Sequence, residues 1–147
     1  AERKDPASKT VNKHLKALIA QRLIEEEAYE AILVNAEGYI TEGGRSNLFF
    51  IKDKELFTTP ESEVLNGITR QQILLICEEK GIKINFQMIP AEEIGSFEGA
   101  IMTGTSPAIL PYNQIGTARY KTDIPLISHL RELYQLRAEK SLQQFII

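Results

Sequence analysis

The sequence Tyr-Ile-Thr-Glu-Gly-Gly-Arg-Ser-Asn-Leu-Phe-Phe, residues 39–50, joins two apolar runs through a glycine pair. Glu42 stands where the first run gives way to Gly43 and Gly44, which permit a sharp turn or close approach of a ligand to the backbone. A carboxylate fixed at a strand end is suited to bind and keep protonated a cationic ring nitrogen. A hairpin with a solvated Glu42 explains this stretch equally well.

Two later segments have the composition of an anion-binding turn. Leu-Asn-Gly-Ile-Thr-Arg, residues 65–70, precedes a helical pattern, and Met-Thr-Gly-Thr-Ser-Pro, residues 102–107, follows a strand-like run. Backbone N–H groups at a helix start, with hydroxyls nearby, favour a phosphate group. Taken separately, each segment is explained more simply by an ordinary helix cap or a Ser/Thr turn.

A carboxylate for a ring nitrogen and a cradle for phosphate are two requirements of pyridoxal phosphate chemistry, and the third is an amine that forms a Schiff base. Lys9 lies among small residues in Pro-Ala-Ser-Lys-Thr-Val-Asn, residues 6–12, ahead of a helical pattern. Lys4, Lys13 and Lys16 are nearby, so the residues alone leave Lys9 as one candidate among several.

In order and spacing, these motifs resemble the fold-type IV, or class IV, pyridoxal phosphate enzymes, which include branched-chain aminotransferases, D-amino acid aminotransferases and aminodeoxychorismate lyases. The resemblance runs from about Pro6 to Tyr134. It implies that residues 1–147 form the C-terminal, cofactor-binding domain of that fold. The implied class is α/β (α+β), with a strand-rich pseudo-barrel core packed with two to three helices.

The resemblance also implies roles for individual residues. Lys9 corresponds to the lysine that forms the Schiff base (aldimine), and Glu42 corresponds to the partner of the pyridine nitrogen, so both are expected to be catalytic. Leu65 corresponds to the residue that packs on one face of the cofactor ring. The other expected contacts of pyridoxal 5'-phosphate are Gly67, Ile68 and Thr69 at the helix start, Gly104, Thr105 and Ser106 in the second turn, and Ser46 and Asn47, which brace the turn after Glu42.

The sequence departs from the family pattern in two places. Many branched-chain enzymes have an aromatic residue where this chain has Lys13, followed by His14, which weakens a branched-chain assignment. The family has an N-terminal domain before the lysine segment, whereas this chain begins almost at the lysine. That domain supplies an arginine to the phosphate, much of the substrate pocket and part of the dimer contact. We therefore expect the C-terminal half of a longer, homodimeric enzyme.

The resemblance implies transamination between an amino acid and a 2-oxo acid. An aminodeoxychorismate lyase-like enzyme and a non-catalytic phosphate-binding module of the same fold remain as alternatives. The presence of both Lys9 and Glu42 favours an enzyme, because a module that only binds phosphate needs neither residue.

Composition is that of one ordinary globular domain. The chain has 147 residues, of which 43% are hydrophobic and 25% are charged, which argues against disorder. A net charge of −3 argues against a nucleic-acid partner, and no apolar run is long enough for a transmembrane helix. The single cysteine, Cys77, favours a cytoplasmic location weakly, and no His, Cys, Asp or Glu spacing predicts a metal site.

The hydrophobic pattern predicts a strand-rich order of elements. Helices are expected at 11–28, at 68–80 before Gly81, and from Pro125 to about Gln143. Extended segments are expected at residues 29–35, 39–41, 47–52, 55–59, 82–89, 98–103 and 109–115, with a tight turn at 53–54 and a short helical turn at 91–94.

Overall fold

The computed structural model describes residues 17, 18, 21, 30–104 and 108–145, with side chains of the last helix described as far as residue 140. The described strands are β1 (Ile32–Val34), β2 (Tyr39–Gly43), β3 (Asn47–Lys52), β4 (Glu55–Thr58), β5 (Ile84–Phe86), β6 (Ile89–Pro90), β7 (Gly99–Gly104), β8 (Ala108–Pro111), β9 (Gln114–Ile115) and β10 (Ala118–Arg119). The α-helices are α1 (Ile68–Lys80) and α2 (Pro125–Phe145), with 3-10 turns at Glu61–Glu63 and Ala91–Ser96.

The strands form three sheets. The largest has the order β5-β4-β3-β7-β8, in which β4 and β5 are parallel and the other pairs are antiparallel. The second sheet has the order β1-β2-β6, and β9 pairs with β10. A tight turn at Asp53 and Lys54, both with positive φ, joins β3 to β4, as hairpins with two-residue loops require.

Strand β3 is apolar on both faces because it lies between two packed layers. Its side chains alternate, so Phe49 and Ile51 join the core formed with α1 and α2. Leu48 and Phe50 join the opposite core, which contains residues of the β1-β2-β6 sheet. This strand-rich core, covered by helices on one face, confirms the predicted fold class.

Helix α1 follows from its apolar spacing and its stop signal. Ile73, Ile76 and Cys77 recur at the i, i+3, i+4 spacing of one helix face, and all three are buried against the large sheet. Burial raises the pKa of the Cys77 thiol to about 11, so the group stays protonated at neutral pH. The helix ends at Gly81, whose φ of 70° places it in the left-handed region that suits a helix end.

Two segments with an extended pattern in the sequence each divide between two sheets. The segment 82–89 divides into β5 and β6, because β5 bonds to β4 of the large sheet whereas β6 bonds to β2 of the other. The segment 109–115 divides in the same way, since β8 pairs with β7 and β9 pairs with β10. A hydrophobic pattern shows that a segment is extended, but it does not show which sheet accepts its hydrogen bonds.

The predicted helix at residues 11–28 falls largely outside the described residues. Ala17, Leu18 and Gln21 are described, and all three are helical. Within the described parts of the chain, no helix has the length and apolar character needed to cross a membrane.

Candidate functional site

The ends of three strands and the start of one helix meet at one end of the large sheet. Strand β3 begins at Asn47, which lies opposite Thr103 near the end of β7. Helix α1 begins beside the end of β7, since the Thr69 hydroxyl donates to the carbonyl of Gly104, the last residue of that strand, at 3.0 Å. Strand β2 ends at Gly43, one residue after Glu42. The structure therefore brings the glycine turn, the helix start and the β7 end into one place, although they are far apart in sequence.

Glu42 is a buried carboxylate at the end of β2. The residue is 3% exposed, so the solvated glutamate considered for this stretch is excluded. Its Oε1 accepts a hydrogen bond from the backbone N–H of Leu65, with an N···O distance of 3.1 Å. A buried charge requires such donors. The carboxylate therefore has a fixed position relative to the loop that precedes α1.

Asn47 fixes the other backbone group of Leu65. Its side-chain Nδ2 donates to the Leu65 carbonyl at 2.7 Å, so Leu65 is bound by side chains through both its N–H and its C=O. The backbone of Gly67 passes close to the same amide, because a Cβ at Gly67 would lie 2.7 Å from Asn47 Oδ1. Glycine is needed here for space, since its φ of −62° is open to any residue.

The first backbone N–H groups of α1 lack acceptors within the helix. Gly67 is the N-cap residue, and no side chain of the described residues caps this helix. The first bond within the helix runs from the Gln71 N–H to the Gly67 carbonyl. The N–H groups of Ile68, Thr69 and Arg70 come before that bond and therefore lack intrahelical acceptors. Because the Thr69 hydroxyl already donates to Gly104, the backbone N–H is the Thr69 group available to an anion.

Glu30, to which sequence reasoning assigned no role, holds the turn after Glu42. Its side chain is 2% exposed. Its Oε2 accepts hydrogen bonds from the Arg45 N–H at 2.9 Å and from the Ser46 hydroxyl at 3.1 Å. Ser46 is therefore directed at Glu30 and braces the turn. A charged residue directly before the apolar run 31–34 was the available signal, but its burial depends on contacts 15 and 16 residues away.

Arg70 is the second residue that sequence reasoning missed. The residue is 1% exposed, and burial lowers the pKa of its guanidinium, an effect opposed by the charges of Glu61 and then Glu42. The signal in the sequence was a cation in the first turn of a helix, where the macrodipole disfavours positive charge.

The predicted site residues divide into two groups. Lys9, Thr105 and Ser106 lie outside the described residues. The others lie at the end of the large sheet described above. These residues are Glu42, Ser46, Asn47, Leu65, Gly67, Thr69 and Gly104. Ile68 is also at this place, but its side chain is exposed to solvent, since the residue is 72% exposed.

The described residues fit a ligand that carries both an anion and a cationic nitrogen. The uncapped start of α1 suits the anion, and the buried carboxylate of Glu42 suits the cation. Thr103, next to Gly104, has a buried Oγ1 that finds no hydrogen-bond partner within the described part of the chain. Among residues 17, 18, 21, 30–104 and 108–145, no group of three His, Cys, Asp or Glu side chains could hold a metal ion.

Comparison with known proteins shows the family to which this chain belongs. The sequence matches the family model for amino-transferase class IV over residues 1–115. The chain belongs to the class IV aminotransferase family.

Two curated relatives show the range of enzymes that this chain resembles. A probable branched-chain-amino-acid aminotransferase of Rickettsia conorii is 33% identical over 132 residues, which cover 87% of this chain and 46% of the relative. A D-alanine aminotransferase of Bacillus licheniformis is 32% identical over 108 residues, which cover 73% of this chain and 38% of the relative. The chain thus spans less than half the length of these relatives.

A solved structure has the same fold. The T.th. branched-chain amino acid aminotransferase, complexed with N-(5'-phosphopyridoxyl)-L-glutamate, superposes with a TM-score of 0.74 at 29% identity. The match covers 81% of this chain and 40% of that chain.

The substitution Gly67→Ala tests the close approach at the helix start. The added methyl group would meet Asn47 Oδ1, which cannot retreat without weakening the bond to the Leu65 carbonyl. We expect the free energy of unfolding to fall by about 1–3 kcal/mol in denaturant titrations. Gly95→Ala is the matched control, because the nearest atom to its Cβ would be at 3.9 Å. Equal losses in the two variants would contradict this packing.

The substitution Glu30→Gln tests the support of the turn after Glu42. The amide would place an N–H₂ group among donors that now converge on a carboxylate. The expected loss in the free energy of unfolding is about 1–3 kcal/mol. Glu37→Gln, at an exposed position, should stay within about 0.5 kcal/mol of the wild type. Identical denaturation midpoints for both variants would refute the role of Glu30.

Proposed function

We propose that this chain forms the cofactor-binding, C-terminal half of an enzyme that transfers an amino group between an amino acid and a 2-oxo acid with pyridoxal 5'-phosphate. Membership of the class IV family supports the reaction class. The phosphopyridoxyl compound in the related T.th. enzyme supports the cofactor.

The observation that carries this proposal is the double attachment of Leu65. Its N–H binds the buried carboxylate of Glu42, and its C=O binds Asn47, two residues before Gly67, the N-cap residue of α1. The carboxylate and the phosphate-binding turn are therefore held at a fixed separation by a short piece of backbone. A rigid ligand with a ring nitrogen at one position and a phosphate at another requires such a fixed separation.

The chain's own residues would hold the cofactor at three positions. Glu42 would accept a hydrogen bond from the ring nitrogen and keep it protonated, and Leu65 would cover one face of the ring. The N–H groups of Ile68 and Thr69, with the turn that contains Thr105 and Ser106, would bind the phosphate. When bound, pyridoxal phosphate supplies an aldehyde that condenses with amines and a ring that accepts an electron pair.

Lys9 is the amine that we assign to the reaction, on the strength of its segment in the sequence. Its amine would hold the cofactor by condensing with the aldehyde, with loss of water, and once freed it would accept the proton of the substrate α-carbon. Both tasks require a neutral amine, which burial and a nearby positive charge favour in lysines.

We propose that the substrates are an amino acid donor and a 2-oxo acid acceptor, in agreement with relatives named for branched-chain amino acids and for D-alanine. The family's N-terminal domain would complete the substrate pocket, and the complete enzyme would be a cytoplasmic homodimer. Neither a nucleic acid nor a membrane is proposed as a partner.

Borohydride trapping tests this function in the complete protein that contains this chain. Incubation with pyridoxal phosphate, reduction and peptide mapping should place a phosphopyridoxyl group on Lys9. The substitution Lys9→Ala should abolish the label and the amino transfer, whereas Lys4→Ala and Lys13→Ala should keep the label. A label that persists in the Lys9→Ala variant, or that lies on Lys13 in the wild type, would overturn the assignment of Lys9. Absence of any cofactor uptake would overturn the proposed function.

A further inference from the structure

Arg70 connects the two ends of the loop that carries Leu65. Its Nη2 donates to the carbonyl of Thr59 at 3.0 Å, just after β4, and its Nη1 donates to Asn66 Oδ1 at 3.0 Å. One guanidinium group therefore spans residues 59–66. Leu65, which binds Glu42, directly precedes Asn66 in this loop.

Both ends of the loop are held by further contacts, one to β2 and one to the first turn of α1. The Thr59 hydroxyl donates to the carbonyl of Ile40 at 2.9 Å, two residues before Glu42 on β2. At the other end, the Gln71 side chain donates to the Asn66 carbonyl at 2.9 Å. A shift of the guanidinium would thus move the loop relative to β2, and with it the N–H whose hydrogen bond Glu42 accepts.

Stability alone does not account for a charged residue at this position. Arg70 is the third residue of α1, where the helix macrodipole disfavours a cation, and the residue is 1% exposed. Its Nε has no hydrogen-bond partner among the described residues, which adds a desolvation cost. A well-packed apolar side chain is often as stabilising as a buried charge. The planar fork of donors is what an apolar side chain, or a lysine, cannot supply.

We propose that Arg70 is a positioning residue for cofactor chemistry: its fork holds the Thr59–Asn66 loop so that Leu65 stays bonded to Glu42 and covers the cofactor ring. This inference rests on the proposed function and adds a residue that is not among the cofactor contacts proposed above. The guanidinium also attracts the negative charge of Glu42, because the charges of Glu61 and then Glu42 oppose the effect of burial on the Arg70 pKa.

The first test needs no cofactor. Hydrogen exchange, followed by mass spectrometry of the complete protein, compares Arg70→Lys with the wild type. Loss of one hydrogen bond of the fork should raise exchange at the Leu65 amide by about tenfold and leave the β3–β7 amides unchanged. Asn66→Ala removes one partner of the fork while the buried charge stays, and it should have the same local effect. Unchanged exchange at Leu65, or an equal rise throughout β3 and β7, would overturn the proposal.

The second test reads the orientation of the bound cofactor. After loading with pyridoxal phosphate, Arg70→Lys should keep an affinity for the cofactor within about threefold of the wild type, because the phosphate turn is intact. Its visible circular dichroism should fall, since a loosened Leu65 no longer fixes the ring. Arg137→Lys is the control: Arg137 also donates hydrogen bonds to two residues, the side chains of Gln72 and Glu79, but it does so between α1 and α2. It should change neither signal.

The two proposals fail in distinguishable ways. A wild-type protein that takes up no pyridoxal phosphate would refute the proposed function. A wild type that binds the cofactor, together with an Arg70→Lys variant in which either the Leu65 exchange or the visible circular dichroism is unchanged, would refute only the role of Arg70.

Discussion

The hydrogen bond from the Leu65 N–H to the carboxylate of Glu42 is the contact on which the site depends. It joins the end of β2 to the loop before α1, two elements that belong to different layers of the fold. A carboxylate in a residue that is 3% exposed cannot rely on water, so its position is set by protein donors. The fold thereby converts a flexible acidic side chain into a fixed charge at a set distance from a helix start.

Two further charged side chains, both buried, hold the two segments that this contact joins. Glu30 holds the turn that follows Glu42 through Arg45 and Ser46. Arg70 holds the loop that contains Leu65 through Thr59 and Asn66. Buried charges of this kind contribute little to stability by themselves, but the hydrogen bonds that they do form fix geometry. The site is therefore surrounded by polar contacts that restrict the movement of Glu42 and Leu65.

Features that local chemistry controls could be predicted from the sequence. The apolar spacing and Gly81 predicted helix α1 with its observed bounds, and the Asp53-Lys54 turn was likewise expected. Glu42 and the 65–70 segment were predicted to be parts of one site, and the structure places them in contact through Leu65. Glu30 and Arg70 were missed, because a charged residue normally indicates an exposed face and their burial arises from distant strands and loops. Strand pairing also depends on distant partners, so the pattern of 82–89 did not reveal that its two halves enter different sheets.

The most direct measurement is the ¹⁵N chemical shift of pyridoxal phosphate labelled at the ring nitrogen and bound to the complete protein. If Glu42 faces that nitrogen, the wild type should show the upfield resonance of a protonated pyridine, and Glu42→Gln should shift it downfield. A resonance that is the same in the two proteins would contradict the assignment of Glu42, and with it the central role of the Leu65 contact.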